Sequence, residues 1–161
     1  MNFDHKILSL SSISKIPKAQ GKKIVLAGGC FDILHFGHVA FMQKARSAGD
    51  ILVLLLESDA FIERVKKKKP VHTQAQRAAI LASLTYVDYV VQLPLLDNPD
   101  VDYRNIVKDI GPSIIAYTFN DSKEEQKKKL AQSVGAEVIV VPHLSSFSSS
   151  KLITYAPIFR D

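Results

Sequence analysis

Residues 26–38, Leu-Ala-Gly-Gly-Cys-Phe-Asp-Ile-Leu-His-Phe-Gly-His, constrain this chain more than any other stretch. After Lys22-Lys23, the apolar run Ile24-Val25-Leu26-Ala27 is stopped by Gly28-Gly29, as a fully buried parallel strand is stopped. Two glycines permit backbone conformations and close approaches that a side chain would block. Val39, Met42, Ala45 and Ala48, with Phe41 alongside, have helical spacing, so His35 and His38 fall at or just before a helix's first turn. N–H groups and the positive end of the helix dipole gather there and favour an anion. Two imidazoles separated by Phe-Gly can donate to one phosphate group, with Gly37 leaving room for it. The plainer alternative, two ordinary polar residues at a helix start, is outweighed by the strand-turn-helix context of the whole string.

A length of 161 residues predicts one domain over 1–161, with 1–20 as a lead-in segment holding Ile7, Leu8, Leu10, Ile13 and Ile16, read as a short helix before Pro17. The 47% hydrophobic content places the chain among globular proteins rather than disordered ones. No apolar run approaches the roughly 20 residues that span a bilayer, and the polar N-terminus lacks a secretory core, so no membrane association and a cytoplasmic location are expected. The single cysteine, Cys30, forms no internal disulfide, and no Cys/His cluster has zinc spacing; it is read as a small buried residue at the turn rather than a nucleophile. A net charge of +5 fits anionic ligands without choosing between nucleotide and nucleic acid.

Beyond the first helix, residues 51–56 form an unbroken apolar run, a second buried strand ended by Ser58-Asp59 at the same sheet edge as Gly28-Gly29. In an open parallel sheet ligands gather outside the carboxyl ends of the strands, so both loops belong to one crevice. A short helical stretch leads to Lys66-Lys67-Lys68-Lys69-Pro70, which can fold back over that crevice or stand as a solvated flap. Thr73-Gln74-Ala75-Gln76 has capping-box form, and Arg77 in that helix's first turn is unfavourable for the dipole, which points to another reason for its presence. Further strands are read at 90–93, 113–117 and 137–141, with helices at 103–110 and from a second capping box at Ser122 to near Gly135. The lysines 127–129 are read as a solvated helix face. Strands alternating with helices predict an α/β fold, a Rossmann-like, doubly wound, five-stranded parallel sheet. A serine-rich stretch after the last strand can again ring a helix N-terminus with hydroxyls and N–H groups.

The string Gly-Cys-Phe-Asp-x-x-His-x-Gly-His resembles the HxGH signature of the cytidylyltransferase-like nucleotidyltransferases. The resemblance implies that Gly28, Gly29, Cys30, Phe31 and Gly37 bind nucleotide and that His35 and His38 stabilise nucleotidyl transfer. It also implies phosphate contacts for Lys66 and Lys68 on the flap and for Arg77, the alternative for Arg77 being an ion pair. Ser148, Ser149 and Ser150, before the aliphatic pair Leu152-Ile153, resemble the family's third motif, implied to bind the β- and γ-phosphates. Mg²⁺ is implied with the nucleotide, held mostly by substrate and water. Asp32 is either a carboxylate ligand to that ion or a structural acceptor at the turn.

The lead-in Lys6-Ile7-Leu8-Ser9-Leu10 and Gly21-Lys22-Lys23-Ile24-Val25 is similar to that of heptose-phosphate adenylyltransferase domains, and with Lys69-Pro70 it tilts the nucleotide toward ATP over CTP. Other positions depart from the relatives. Thr85 and Pro142-His143 stand where glycerol-phosphate cytidylyltransferases have arginines, Asn120-Asp121 stands where a Gly-Asp pair is usual, and Ser145-Ser146 replaces an acidic Glu-Gly. The expected activity is transfer of a nucleoside monophosphate from Mg-NTP to a phosphorylated small-molecule acceptor, such as a sugar or alcohol phosphate, releasing pyrophosphate. Relatives commonly pair, so a homodimer is implied. The competing reading is a nucleotide-binding module for sensing or partner binding. RNA binding through the lysines lacks the stacking aromatics beside a basic groove that single strands favour.

Overall fold

The computed structural model describes residues 3–18 and 21–142. Six strands, β1 (Ile7–Ser9), β2 (Ile24–Gly29), β3 (Ile51–Leu56), β4 (Tyr89–Gln92), β5 (Ile114–Thr118) and β6 (Glu137–Val141), form one wholly parallel sheet in the order β1-β4-β3-β2-β5-β6. The helices between them are α1 (Phe36–Arg46), α2 (Asp59–Lys66), α3 (Gln74–Ala82), α4 (Pro99–Ile110) and α5 (Glu124–Val134). Among the described residues no helix is long and apolar enough to cross a membrane.

The period-2 alternation of the strands explains why helices cover both faces. Val25, Ala27, Leu52, Leu54 and Leu56 point to one core, closed by Phe41, Met42 and Ala45 of α1 and by Ala78, Leu81 and Ala82 of α3. Ile24, Leu26, Ile51, Val53 and Leu55 point to the other, closed by Ile106, Val107 and Ile110 of α4 and Ala131 of α5. Every residue of β3 is buried, as its unbroken run required. The chain winds outward from β2 through β3 and β4, then returns to the other side of β2 as β5. The switch point, where ligands bind in such sheets, therefore lies at the carboxyl ends of β2 and β5.

Among the described residues the sheet has six strands, not five. The lead-in is a 3-10 turn (Asp4–Lys6), the strand β1 and a second 3-10 segment (Leu10–Lys15) rather than a helix. Three residues are too few to show strand periodicity, and β1 is held by the edge of β4, where Ile7 pairs with Val90 and Leu8 with Val91. Lys6 fixes the register from outside, its Nζ donating to Val87 O at 2.7 Å. The Thr73 capping box forms in full. The one expected at Ser122 does not: α5 opens at Glu124 with Lys123 as its uncapped N-cap residue, and the Lys123 N–H is taken by Asp121 Oδ1. Helix α4 starts at Pro99, four residues before the position expected, because a proline at the first helical position costs no hydrogen bond.

Candidate active site

Past the end of β2 the backbone turns sharply at Phe31, which adopts φ 45°, a left-handed conformation uncommon outside glycine. The turn folds the Phe31 ring back over Gly29, where a Cβ would come within 3.0 Å of it. The buried ring then meets the His38 imidazole edge-on at 5.4 Å. Phe31 is thus a buttress behind a histidine in this structure.

His35 is the N-cap residue of α1, with extended backbone, and its carbonyl accepts from the N–H groups of His38 and Val39. That spacing puts His35 and His38 on one side of the first turn, where their rings stack with centroids 3.7 Å apart and planes 20° from parallel. Burial, the neighbouring His35 and Lys66 lower the His38 pKa to about 4, against a backbone hydrogen bond to Ile33 that acts the other way. At neutral pH His38 is therefore a neutral imidazole with a single N–H, which the Ile33 backbone shares, so donating to an anion requires that bond to give way or the second ring nitrogen to take up a proton.

This depression has a consequence for stability. The unfolded chain's histidine titrates near 6.5 and the native one near 4, so between those values the unfolded state binds the extra proton. Stability is full above about pH 6.5, falls as the solution is acidified, and levels below pH 4, over a span of about 3 kcal/mol. Urea titrations of wild type and His38→Gln at pH 7 and pH 4.5 are expected to show a shallower pH slope for the variant. Parallel slopes would contradict the assignment.

Two polar clamps hold the turn. Asp32 is buried and its carboxylate accepts from the N–H groups of Val71 at 2.9 Å and His72 at 3.1 Å, tying the turn to the segment that follows the lysine run. Both Asp32 oxygens are engaged by backbone, so the acceptor role is the one it fills. Among the described residues no group of three or more His, Cys, Asp or Glu could hold a metal ion.

The second clamp is Arg77, whose side chain is completely buried. Its guanidinium donates to the carbonyls of His72 (3.1 Å), Cys30 (2.5 Å) and Glu57 (2.9 Å) and pairs with Asp59 Oδ1 at 2.6 Å. The residue expected to touch phosphate instead joins the loops after β2 and β3 to the start of α2. Its unfavourable place in the first turn of α3 is offset by this network.

At the switch point lies a cleft of about 620 Å³. Its floor is Gly28, Gly29 and Cys30, and the Tyr103 hydroxyl stands where a Cβ on residue 28 would go, which explains that glycine. Lys66 of α2 lines the cleft, and its charge acts on both Cys30 and His38. Burial outweighs that charge at Cys30 and raises its pKa, which keeps the thiol protonated.

The remaining wall was not foreseen from sequence: Glu57 at the end of β3, Tyr103 and Arg104 of α4, and Lys123 and Lys127 beside α5's start and along it. Lys127 pairs with Asp121 at 2.7 Å. Burial would raise the Asp121 pKa, but the hydrogen bonds from Lys127 and the Lys123 N–H together hold it below its ordinary value. Asn120 takes φ 60°, a left-handed conformation that asparagine tolerates, and Asp121 after it lines the cleft.

Not all expected residues meet. Gly28, Gly29, Cys30 and Lys66 share the cleft, whereas Phe31, His35, Gly37, His38, Lys68 and Arg77 are not on its wall. The imidazoles stand at the start of α1, on the opposite face of the sheet from α4 and α5, with the Gly28–Asp32 turn between. Lys68 is exposed. Ser148, Ser149 and Ser150 lie outside the described residues.

The cytidylyltransferase-like family matches residues 26–154. The "Bifunctional protein HldE" of Geobacter metallireducens is 39% identical over 163 residues, which cover 95% of this chain and 32% of that protein. That of Campylobacter concisus is 36% identical over 155 residues, covering 95% and 30%. The chain spans about a third of the length of the curated relatives it matches. Among solved structures, a lipopolysaccharide core biosynthesis protein from Thermoplasma volcanium superposes with a TM-score of 0.60 at 27% identity, covering 76% of this chain and 97% of that one. A pantoate-beta-alanine ligase from Francisella tularensis superposes with a TM-score of 0.66 at 16% identity, covering 91% and 75%, a likeness of fold alone.

Proposed function

Because the chain belongs to the cytidylyltransferase-like family and is a nucleotidyltransferase, we propose that it transfers the adenylyl group of Mg-ATP to the phosphate of a sugar phosphate, with a heptose phosphate as the specific candidate. The observation that carries this reading is the stacked imidazole pair at the start of α1, beside a cation-lined cleft at the switch point. The lead-in's resemblance to heptose-phosphate adenylyltransferase domains favours ATP and a heptose phosphate over the other nucleotides and acceptors.

The chemistry asks little of the protein beyond alignment and charge. An acceptor phosphate oxygen attacks the α-phosphorus; the new P–O bond forms as the Pα–O–Pβ bond breaks, and pyrophosphate leaves with the electron pair. A phosphate monoester loses its second proton near pH 6, so the nucleophile needs no general base. The imidazoles donate hydrogen bonds to the phosphoryl oxygens, and Lys66 supplies positive charge as a point cation. Binding an anion beside His38 opposes the depression of its pKa, so the pair gains proton affinity as charge builds on the leaving group.

Incubation with ATP or CTP, Mg²⁺ and a panel of sugar and alcohol phosphates tests the proposal. Pyrophosphate release requiring both ATP and a sugar phosphate is expected. Tight ATP binding with no release across the panel would favour a binding module instead.

A further inference from the structure

We infer that Glu57 is the specificity-determining residue of the acceptor side: its carboxylate, with the Tyr103 hydroxyl on the same cleft wall, reads the hydroxyl groups of a polyhydroxylated phosphate ester. The inference rests on the transfer reaction proposed above.

The backbone of Glu57 is fixed at both ends. Its N–H donates to Gly29 O at 3.1 Å and its carbonyl accepts from Arg77 at 2.9 Å, so the side chain leaves β3 from a rigid point. The carboxylate accepts no hydrogen bond and forms no ion pair with a described residue. It is nonetheless partly buried in the cleft, with Lys123, Arg77, Arg64 and Lys127 close enough for their charges to act on it. Burial raises its pKa against the pull of those cations. A carboxylate held partly out of water among cations, yet hydrogen-bonded to no described residue, is free to accept from a ligand.

The donors are identified by chemistry. Carboxylate oxygens only accept, and they repel phosphate, so Glu57 is not part of the polyanion grip. Tyr103 is kept as a phenol donor, because burial and the charges of Glu57 and Asp121 raise its pKa. A hydroxyl-bearing ligand matches an acceptor and a donor side by side, while Lys123 and Arg64 match its phosphate.

In-line displacement assigns the side. Attacking and leaving oxygens lie on opposite sides of the α-phosphorus. If the imidazoles at α1 hold the leaving pyrophosphate, the acceptor approaches from across the Gly28–Asp32 turn, which is where this cleft opens.

Calorimetric binding of two probes, a heptose 1-phosphate and propyl phosphate, separates recognition of hydroxyls from recognition of phosphate and needs no turnover. Wild type is expected to prefer the heptose phosphate by roughly 10 to 10²-fold, the range of hydrogen bonds to a charged group. Glu57→Ala is expected to abolish that preference with propyl phosphate affinity held or improved, and Glu57→Gln to retain part of it. Thermal melting of each variant at the wild-type temperature establishes that it is folded. A preference unchanged in Glu57→Ala, equal loss of both probes in a folded variant, or no preference in wild type would overturn the inference. If binding shows the Glu57-dependent preference but no pyrophosphate is released, the transfer reaction fails and the recognition site stands. If a heptose phosphate drives release equally well in wild type and Glu57→Ala, the reverse holds.

Discussion

Replacing His38 by alanine lowers single-turnover nucleotidyl transfer by about 10² to 10³, the loss that follows removal of one preorganised donor from a charge-developing transition state. The geometry explains why so small a change costs so much. The His38 ring is held between His35, stacked at 3.7 Å, and Phe31, edge-on at 5.4 Å, so the ring is fixed in place before the substrate arrives. Water filling the space of the lost ring brings a donor that must first be ordered, which forfeits the preorganisation. His35→Ala acts at the same place and also releases the stack, so the double variant is expected to be little worse than either single one. Affinity for ATP, measured separately, changes far less than turnover. A His38→Ala enzyme within tenfold of wild type would reduce the pair to binding groups.

Arg77→Met unfolds the protein more easily by roughly 3 to 5 kcal/mol, because it strands the groups that the guanidinium satisfies. Three carbonyls, of Cys30, Glu57 and His72, lose their donor inside the fold, and an apolar side chain offers nothing in exchange. Asp59 contributes less to the loss, since its side chain is 38% exposed and water can reach it. Arg77→Lys recovers a minority of the loss, because one ammonium cannot span acceptors on three loops and a carboxylate. Urea denaturation with an unchanged m-value is the appropriate measure, and a shift worth under 1 kcal/mol for Arg77→Met would mean the network is dispensable.

What the sequence made legible was local. The glycine turn, the helix that starts at the histidines and the buried runs that became β2 and β3 each declare themselves through periodicity and punctuation within a dozen residues. β1 could not, because its three residues are a strand only by virtue of β4, some eighty positions later. Arg77 shows the same limit in a charged residue. Its place against the helix dipole signalled an unusual partner, but whether that partner was a ligand or the protein's own carbonyls depended on loops brought together by the sheet. Glu57 and Tyr103 went unread because the cleft joins β3 to α4 across the switch point. By sequence the run at 127–129 is one solvated face, yet Lys127 and Lys129 line the cleft while Lys128 pairs outward with Glu124 and Glu125.

The central claim is that the stacked imidazoles meet the phosphates of the bound nucleotide. Titration of the His38 ring by NMR, with and without a saturating non-hydrolysable ATP analogue and Mg²⁺, tests it directly. The free protein is predicted to titrate near pH 4 and the complex well above that, as an anion replaces the dry, cation-facing surroundings of the ring. A midpoint that stays near 4 in the saturated complex would place the triphosphate elsewhere and contradict the account.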